Sequence, residues 1–216
     1  MIDNLKRIIV ILAIIPLFVV GCSNISGSTT VIKTFNSSSD AYVVMTGNQD
    51  WNASRNSSMC NHLTSPGTQV ETSWYNDAYD IYRAFLYFDT SSIPEGSNIN
   101  SVKLSIFLSG VIYNQDNVSI YVLSGNKGVS YPAICSDYNI AEYDNKIIGS
   151  IRFSDLSIWK YYDIKLDNSC IENGYTKLIL LTDTDMNNIA PVGWNWITFD
   201  GTNSVYCPKL EVSYTR

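Results

Sequence analysis

Beyond residue 30, hydrophobic and polar positions alternate with a period of two. The clearest run is Ser101 to Ser109, where Val102, Leu104, Ile106 and Leu108 interleave with Ser101, Lys103, Ser105 and Ser109. This is the pattern of a strand with one face on a core and the other in water. Ile81 to Asp89 also alternates, with Tyr82, Ala84, Leu86 and Phe88 on one face and Arg83, Phe85 and Tyr87 on the other. Both faces are partly apolar, which predicts a central, covered strand. Further short strands are expected at Thr30 to Phe35, Ala41 to Thr46, Val118 to Leu123, Ile147 to Phe153, Lys160 to Lys165, Lys177 to Thr182, Trp194 to Phe199 and Lys209 to Tyr214. They are rich in Val, Ile, Thr and aromatic residues and are punctuated by Gly, Asn, Asp, Ser and Pro. No 3.6-residue period is sustained, apart from a turn of helix expected near Asp167 to Asn173.

Many short strands separated by turn signals predict an all-β fold, an antiparallel β-sandwich of jelly-roll type, in a single domain over residues 31–216. Packing two sheets face to face would bury Tyr82, Leu86, Val102, Leu104, Ile106, Ile120, Leu180 and Val212 between them. The longest break, Gly47 to Asp80, is polar and holds Trp51, Trp74, Tyr75 and Tyr79. A loop of that length inside a compact domain is a functional candidate.

The N-terminus changes the setting. Lys6 and Arg7 precede an uncharged run, Ile8 to Val20, which ends in Val19-Val20-Gly21-Cys22. A basic segment, a short apolar core and a small residue at the cut make a signal peptide. The apolar run has 13 residues, short of the roughly 20 that a membrane-crossing helix needs. Val-Val-Gly-Cys resembles the bacterial lipobox, with residues 1–21 as signal, Cys22 as the lipidated residue and 22–30 as lipid site plus flexible tether. The expected location is outside the cytoplasm, lipid-anchored to a membrane at the cell surface or the outer membrane.

Removing Asp3, Lys6 and Arg7 with the signal leaves 12 basic and 19 acidic residues in the mature chain. That balance argues against nucleic acid or an anionic bilayer as the partner, since both need a cationic surface. Export permits disulfides among Cys60, Cys135, Cys170 and Cys207, in any of three connectivities. The pairing expected is Cys135 with Cys170, closing a middle loop, and Cys60 with Cys207, tying an early loop to the C-terminal strand. No Cys-x-x-Cys or Cys/His cluster at ligand spacing offers a metal alternative.

Two segments carry a family resemblance. Arg83-Ala84-Phe85-Leu86-Tyr87-Phe88-Asp89-Thr90-Ser91-Ser92-Ile93-Pro94-Glu95-Gly96, followed by Ile99-Asn100-Ser101-Val102-Lys103-Leu104, resembles the signature of the DNRLRE-type domain. That β-sandwich module is also described in archaeal disaggregatase-related repeats and in carbohydrate-binding modules that grip alginate-like polymers. Asp40-Ala41-Tyr42-Val43 is similar to its opening strand. Trp196-Ile197-Thr198-Phe199 and Pro208-Lys209-Leu210-Glu211-Val212-Ser213-Tyr214 are similar to its closing ones. The likeness spans about residues 30–214. Between Tyr113 and Asn145 the chain lacks the family's tryptophan-rich stretch, and Asp200-Gly201-Thr202 replaces its Ser-x-Glu after Phe199. Ligand contacts supplied by those positions do not carry over.

The residues offer little for catalysis. His62 is the only histidine, and there is neither a Gly-x-Ser-x-Gly elbow nor a His-Glu-x-x-His helix. Paired carboxylates, Asp183 with Asp185 or Asp77 with Asp80, are the remaining enzymatic option. Binding fits better, because flat aromatic faces hold sugar C–H surfaces while amides, carboxylates and arginine take the hydroxyls. The candidates are Trp51, Trp74, Tyr75, Tyr79 and Trp194, with Arg55, Asn52 and Asn76 as polar partners. Trp159 and Trp196, in or against strands, are expected to plug the sandwich instead. Thr182 to Asn188 presents Asp183 and Asp185 as ligands for a structural calcium ion; no other cofactor is expected. The sequence therefore points to a membrane-anchored surface lipoprotein whose sandwich binds a polysaccharide or surface glycan, neutral or calcium-bridged, without catalysis. The alternatives are a structural or adhesive surface protein contacting protein partners or itself, and a polysaccharide-degrading enzyme.

Overall fold

The computed structural model describes residues 28–65, 68–113 and 118–216. Cys22 and the signal segment lie outside the described residues. Twelve strands follow in order: β1 Thr30–Asn36, β2 Ser39–Asn48, β3 His62–Thr64, β4 Gln69–Tyr75, β5 Ala78–Asp89, β6 Asn98–Tyr113, β7 Ser119–Ser124, β8 Ile147–Arg152, β9 Lys160–Leu166, β10 Tyr175–Thr182, β11 Trp194–Phe199 and β12 Lys209–Thr215. Two short helices, α1 Trp51–Arg55 and α2 Asp183–Met186, join them. All strand pairings are antiparallel.

Two long strands organise the sandwich. β6 pairs with β9 along one edge and divides the other between β12 and β11, with β1 outside β12 and β4 outside β11. β5 pairs with β2 along one edge and divides the other between β4, over Ala78–Tyr82, and β10, over Ala84–Asp89. β10 continues to β7 and β8, and β2 to β3. Between the sheets lies one apolar core holding Leu86, Phe88, Val102, Leu104, Ile106, Ile120, Leu180, Ile197 and Val212. These are the alternating residues of the expected strands, buried as the period of two requires.

Because β5 serves both sheets, the role of its faces changes along its length. Ala84, Leu86 and Phe88 enter the core. Two residues earlier the edge passes to β4 and the same face turns outward. Tyr82, expected in the core, is accordingly half-buried. The opposite face, with Ile81, Phe85 and Tyr87, joins Ile179 and Leu181 of β10 in a second cluster on the back of the sheet. Trp51 of α1 and Val129, Tyr138, Ile140 and Tyr143 of the 125–146 segment cover it. Residues 125–146 therefore supply a lid over that sheet.

Arg83 ties this lid down. It is fully buried. Its guanidinium grips Asp185 bidentately at 2.7 and 2.8 Å, donates to the carbonyls of Arg55 and Tyr138, and lies 4.1 Å from the Tyr138 ring centre. Tyr138 in turn donates its hydroxyl to the Ser54 carbonyl at 2.8 Å.

The cysteine pairing departs from expectation. Cys60 is bonded to Cys135, while Cys170 and Cys207 are free and buried. The pairing predicted from sequence, Cys60 with Cys207 and Cys135 with Cys170, fails because Cys60 follows α1 on the back of the sandwich, beside the lid that carries Cys135. The backbone of Cys60 donates to the carbonyl of Cys135 at 3.0 Å. Cys170, by contrast, belongs to the core between the sheets, where burial pushes its thiol up to about 12. The stretch Gly47 to Asp80 also is not one loop, since it contains α1, β3 and β4. The helical turn expected near Asp167 is a single 3-10 turn, Asn168–Cys170.

Candidate functional site

The β4–β5 hairpin sets the geometry. Its two-residue turn, Asn76-Asp77, has positive φ at both positions, 48° and 59°. This geometry matches the strand twist and favours Asn, Asp and Gly. It places Trp74 opposite Tyr79, Ser73 opposite Asp80 and Glu71 opposite Tyr82. Directly opposed residues share a face, so the hairpin sorts the aromatic candidates into two groups.

One group is structural. Trp74 and Tyr79 pack with ring centres 4.5 Å apart, and Trp51 meets Tyr79 edge-on at 5.3 Å. Trp51 is buried, and its indole N–H is taken by Asn188 Oδ1 at 2.9 Å. Arg55 donates to the carbonyls of Asp185 and Met186. Four of the sequence candidates thus knit α1, α2 and the hairpin together.

The other group lines the opposite, outward face. Tyr75 is 50 % exposed and packs on Trp194 at 4.7 Å. On β11, Trp194 stands opposite Ser73 and Trp196 opposite Glu71, and β5 contributes Asp80 and Tyr82 on the other side of β4. Tyr42 of β2 lies 5.5 Å from Tyr82. Glu71 therefore sits between two cross-strand aromatic neighbours, Tyr82 and Trp196. A close approach on β6 seats Trp196: a Cβ on Gly110 would come within 2.6 Å of the Trp196 ring and of Thr198 Oγ1.

Electrostatics single out the centre of this face. The Glu71 carboxylate is 7 % exposed and accepts hydrogen bonds from Ser73 Oγ at 2.7 Å and Gln69 Nε2 at 2.6 Å. Burial raises its proton affinity above the ordinary carboxylate range, and Asp80 adds to the rise. Burial likewise raises Asp80, which is half-buried and accepts from the Gly47 N–H. Burial first, then Glu71, Asp80 and Tyr42, push the Tyr82 phenol up to about 12. None of the ion pairs among the described residues involves Glu71 or Asp80.

Glu71, Tyr82 and Tyr42 went unrecognised in sequence as site residues, because nothing short of the strand register brings them beside Trp194. The turn dipeptide Asn76-Asp77 between two aromatic-flanked runs is the signal that could have revealed the hairpin. Trp196, expected as a plug, is half-buried on this face. Trp159, also expected as a plug, is 69 % exposed at a turn with φ of 68°; it precedes β9, where neither sheet covers it.

The remaining candidates lie elsewhere. Both oxygens of Asp185 are engaged by Arg83. Asp183 keeps one buried oxygen without a partner, and burial raises its carboxyl. Among the described residues no group of three or more His, Cys, Asp or Glu is placed to hold a metal ion. His62 is exposed on β3 beside Thr64. No helix of the described residues is long and apolar enough to cross a membrane. No protein-family model matches the chain, and no curated protein matches it.

Proposed function

We propose that this chain is a membrane-anchored lipoprotein whose β-sandwich binds polysaccharide, without catalysis, on the outward face of β4 and β11. The carrying observation is the half-exposed row of Tyr75, Trp194 and Trp196 beside a floor of hydrogen-bonding side chains from Gln69 to Ser73. Aromatic rings anchored on a sheet offer stacking surface to sugars at small entropic cost, and polar side chains beside them supply orientation. The protein stands outside the cytoplasm because the segment before Cys22 has the form of a lipoprotein signal, and the seven residues Ser23 to Thr29 before β1 reach at most about 25 Å.

Affinity electrophoresis across a panel of neutral, acidic and amine-bearing polysaccharides tests the reading. Retardation by at least one polymer is expected, and Trp194→Ala and Tyr75→Ala should each reduce it at least tenfold while the melting temperature changes little. Retardation that survives both substitutions places binding elsewhere. Self-association without retardation supports an adhesive protein instead, and release of reducing ends or unsaturated products shows an enzyme. The address is tested separately: mass spectrometry of the membrane fraction should find diacylglyceryl on Cys22, and an unmodified Cys22 removes the anchor.

A further inference from the structure

The proposed glycan face holds two carboxylates, Glu71 and Asp80, that form no ion pair with a lysine or arginine among the described residues. Glu71 forms its floor, fixed by Ser73 and Gln69, and Asp80, half-buried, stands two residues from Tyr82 at its surface. Rings surround them: Tyr82 and Trp196 flank Glu71 across the strands, Tyr42 packs on Tyr82, and Trp194 stands in register with Ser73, itself opposite Asp80. Burial raises the proton affinity of both carboxyls, and Asp80 adds to the rise at Glu71, so negative charge on this face is unfavourable without a cation beside it. An ammonium group supplies that cation and is attracted to the ring faces as well. A neutral sugar hydroxyl gains only a hydrogen bond there, and an anionic sugar meets like charge.

We propose that this face selects glycans carrying free, protonated amino groups, such as de-N-acetylated amino-sugar polymers, with the ammonium seated beside Asp80 and Glu71 against Tyr82 and Trp196. The inference rests on the reading of the face as a glycan platform and adds the charge of its ligand. The acidic balance of the mature chain works in the same direction, drawing a cationic polymer to the surface.

Calorimetry with matched glucosamine and N-acetylglucosamine oligomers tests it, at a pH where the free amines are protonated. The amine-bearing oligomer is expected to bind at least tenfold more tightly, with a preference that shrinks as salt is raised. Equal or tighter binding of the acetylated oligomer overturns the charge selectivity and leaves the platform standing. Binding of neither oligomer, nor of any polymer in the panel, overturns the platform itself. Glu71→Gln and Asp80→Asn keep the shape of the site, and each should reduce the preference for the amine-bearing oligomer at least fivefold. Should Glu71→Gln fail to fold, the more exposed Asp80→Asn carries the test alone. Asp144→Asn, on the lid over the other sheet, removes the same charge and should retain the full preference. A loss equal to that of Asp80→Asn would assign the effect to the overall acidity of the chain and overturn the site.

Discussion

Arg83 and Glu71 are neighbours on either side of the same strand pair, and the structure assigns them opposite electrostatic situations. Each guanidinium nitrogen of Arg83 donates to an acceptor: a carboxylate and two carbonyls. Truncating one member of such a buried pair leaves the other charge uncompensated, at a cost of roughly 3–5 kcal/mol. Arg83→Met should therefore lower the denaturation midpoint strongly, and Arg83→Met with Asp185→Leu should recover part of the loss; a double variant no more stable than the single one contradicts the pairing. Glu71 has hydrogen bonds but no countercharge. Its folded-state pKa lies above its unfolded value, so its contribution is fully present below the unfolded pKa and is lost as pH rises through the folded one. Glu71→Gln removes that loss. The variant's melting temperature relative to the native chain should thus be higher at neutral pH than at about pH 4, near the ordinary glutamate pKa. A difference that does not vary with pH would show that Glu71 is not desolvated. The residues carrying the family resemblance acquire plain structural roles at this scale: Arg83 anchors the lid, Leu86 and Phe88 fill the core, and Asp89 accepts from Ser91 to shape the following turn.

At the scale of elements, the β4–β5 hairpin and the β6–β11 pair fix the face. Asn76 and Asp77 occupy the left-handed region, which costs an ordinary L-residue roughly 1–2 kcal/mol and glycine almost nothing. Asp77→Gly should raise stability by a few tenths to about 1 kcal/mol without altering glycan affinity, as read from thermal melts and titration; a fall in stability would mean that the Asp77 side chain holds the turn. Gly110→Ala should push the Trp196 ring off its seat, weakening binding more than it lowers the melting temperature, and unchanged binding would remove Trp196 from the site. β4 was illegible because Val70, Thr72 and Trp74 face inward while Gln69, Glu71, Ser73 and Tyr75 face outward. Polar residues on both faces erase the alternation that marks β5 and β6. α1, five residues long, is too short to show a period; Asp50, whose side chain caps the Ala53 N–H, is its only local mark.

For the molecule as a whole, the Cys60–Cys135 bond closes a loop of 75 residues in sequence separation, worth about 4 kcal/mol in the chain-entropy picture. It ties α1 and β3 to the lid and leaves the core thiols out. Alkylation of the unreduced, denatured chain should label Cys170 and Cys207 and spare Cys60 and Cys135, whereas labelling of Cys60 would contradict the bond. The sequence by itself determined the all-β class, the positions of most strands and most of the inward residues of β5, β6, β10 and β12, because a period of two and its turn punctuation are local properties of the chain. The tertiary structure alone decided which cysteines meet, which tryptophans are buried, where β5 passes from one sheet to the other, and that Glu71 and Asp80 stand among Tyr42, Tyr82 and Trp196. Those depend on contacts between separate segments, 75 residues apart for Cys60 and Cys135 and more than a hundred for β4 and β11, and in an antiparallel sheet a shift of one residue sends every side chain to the opposite face.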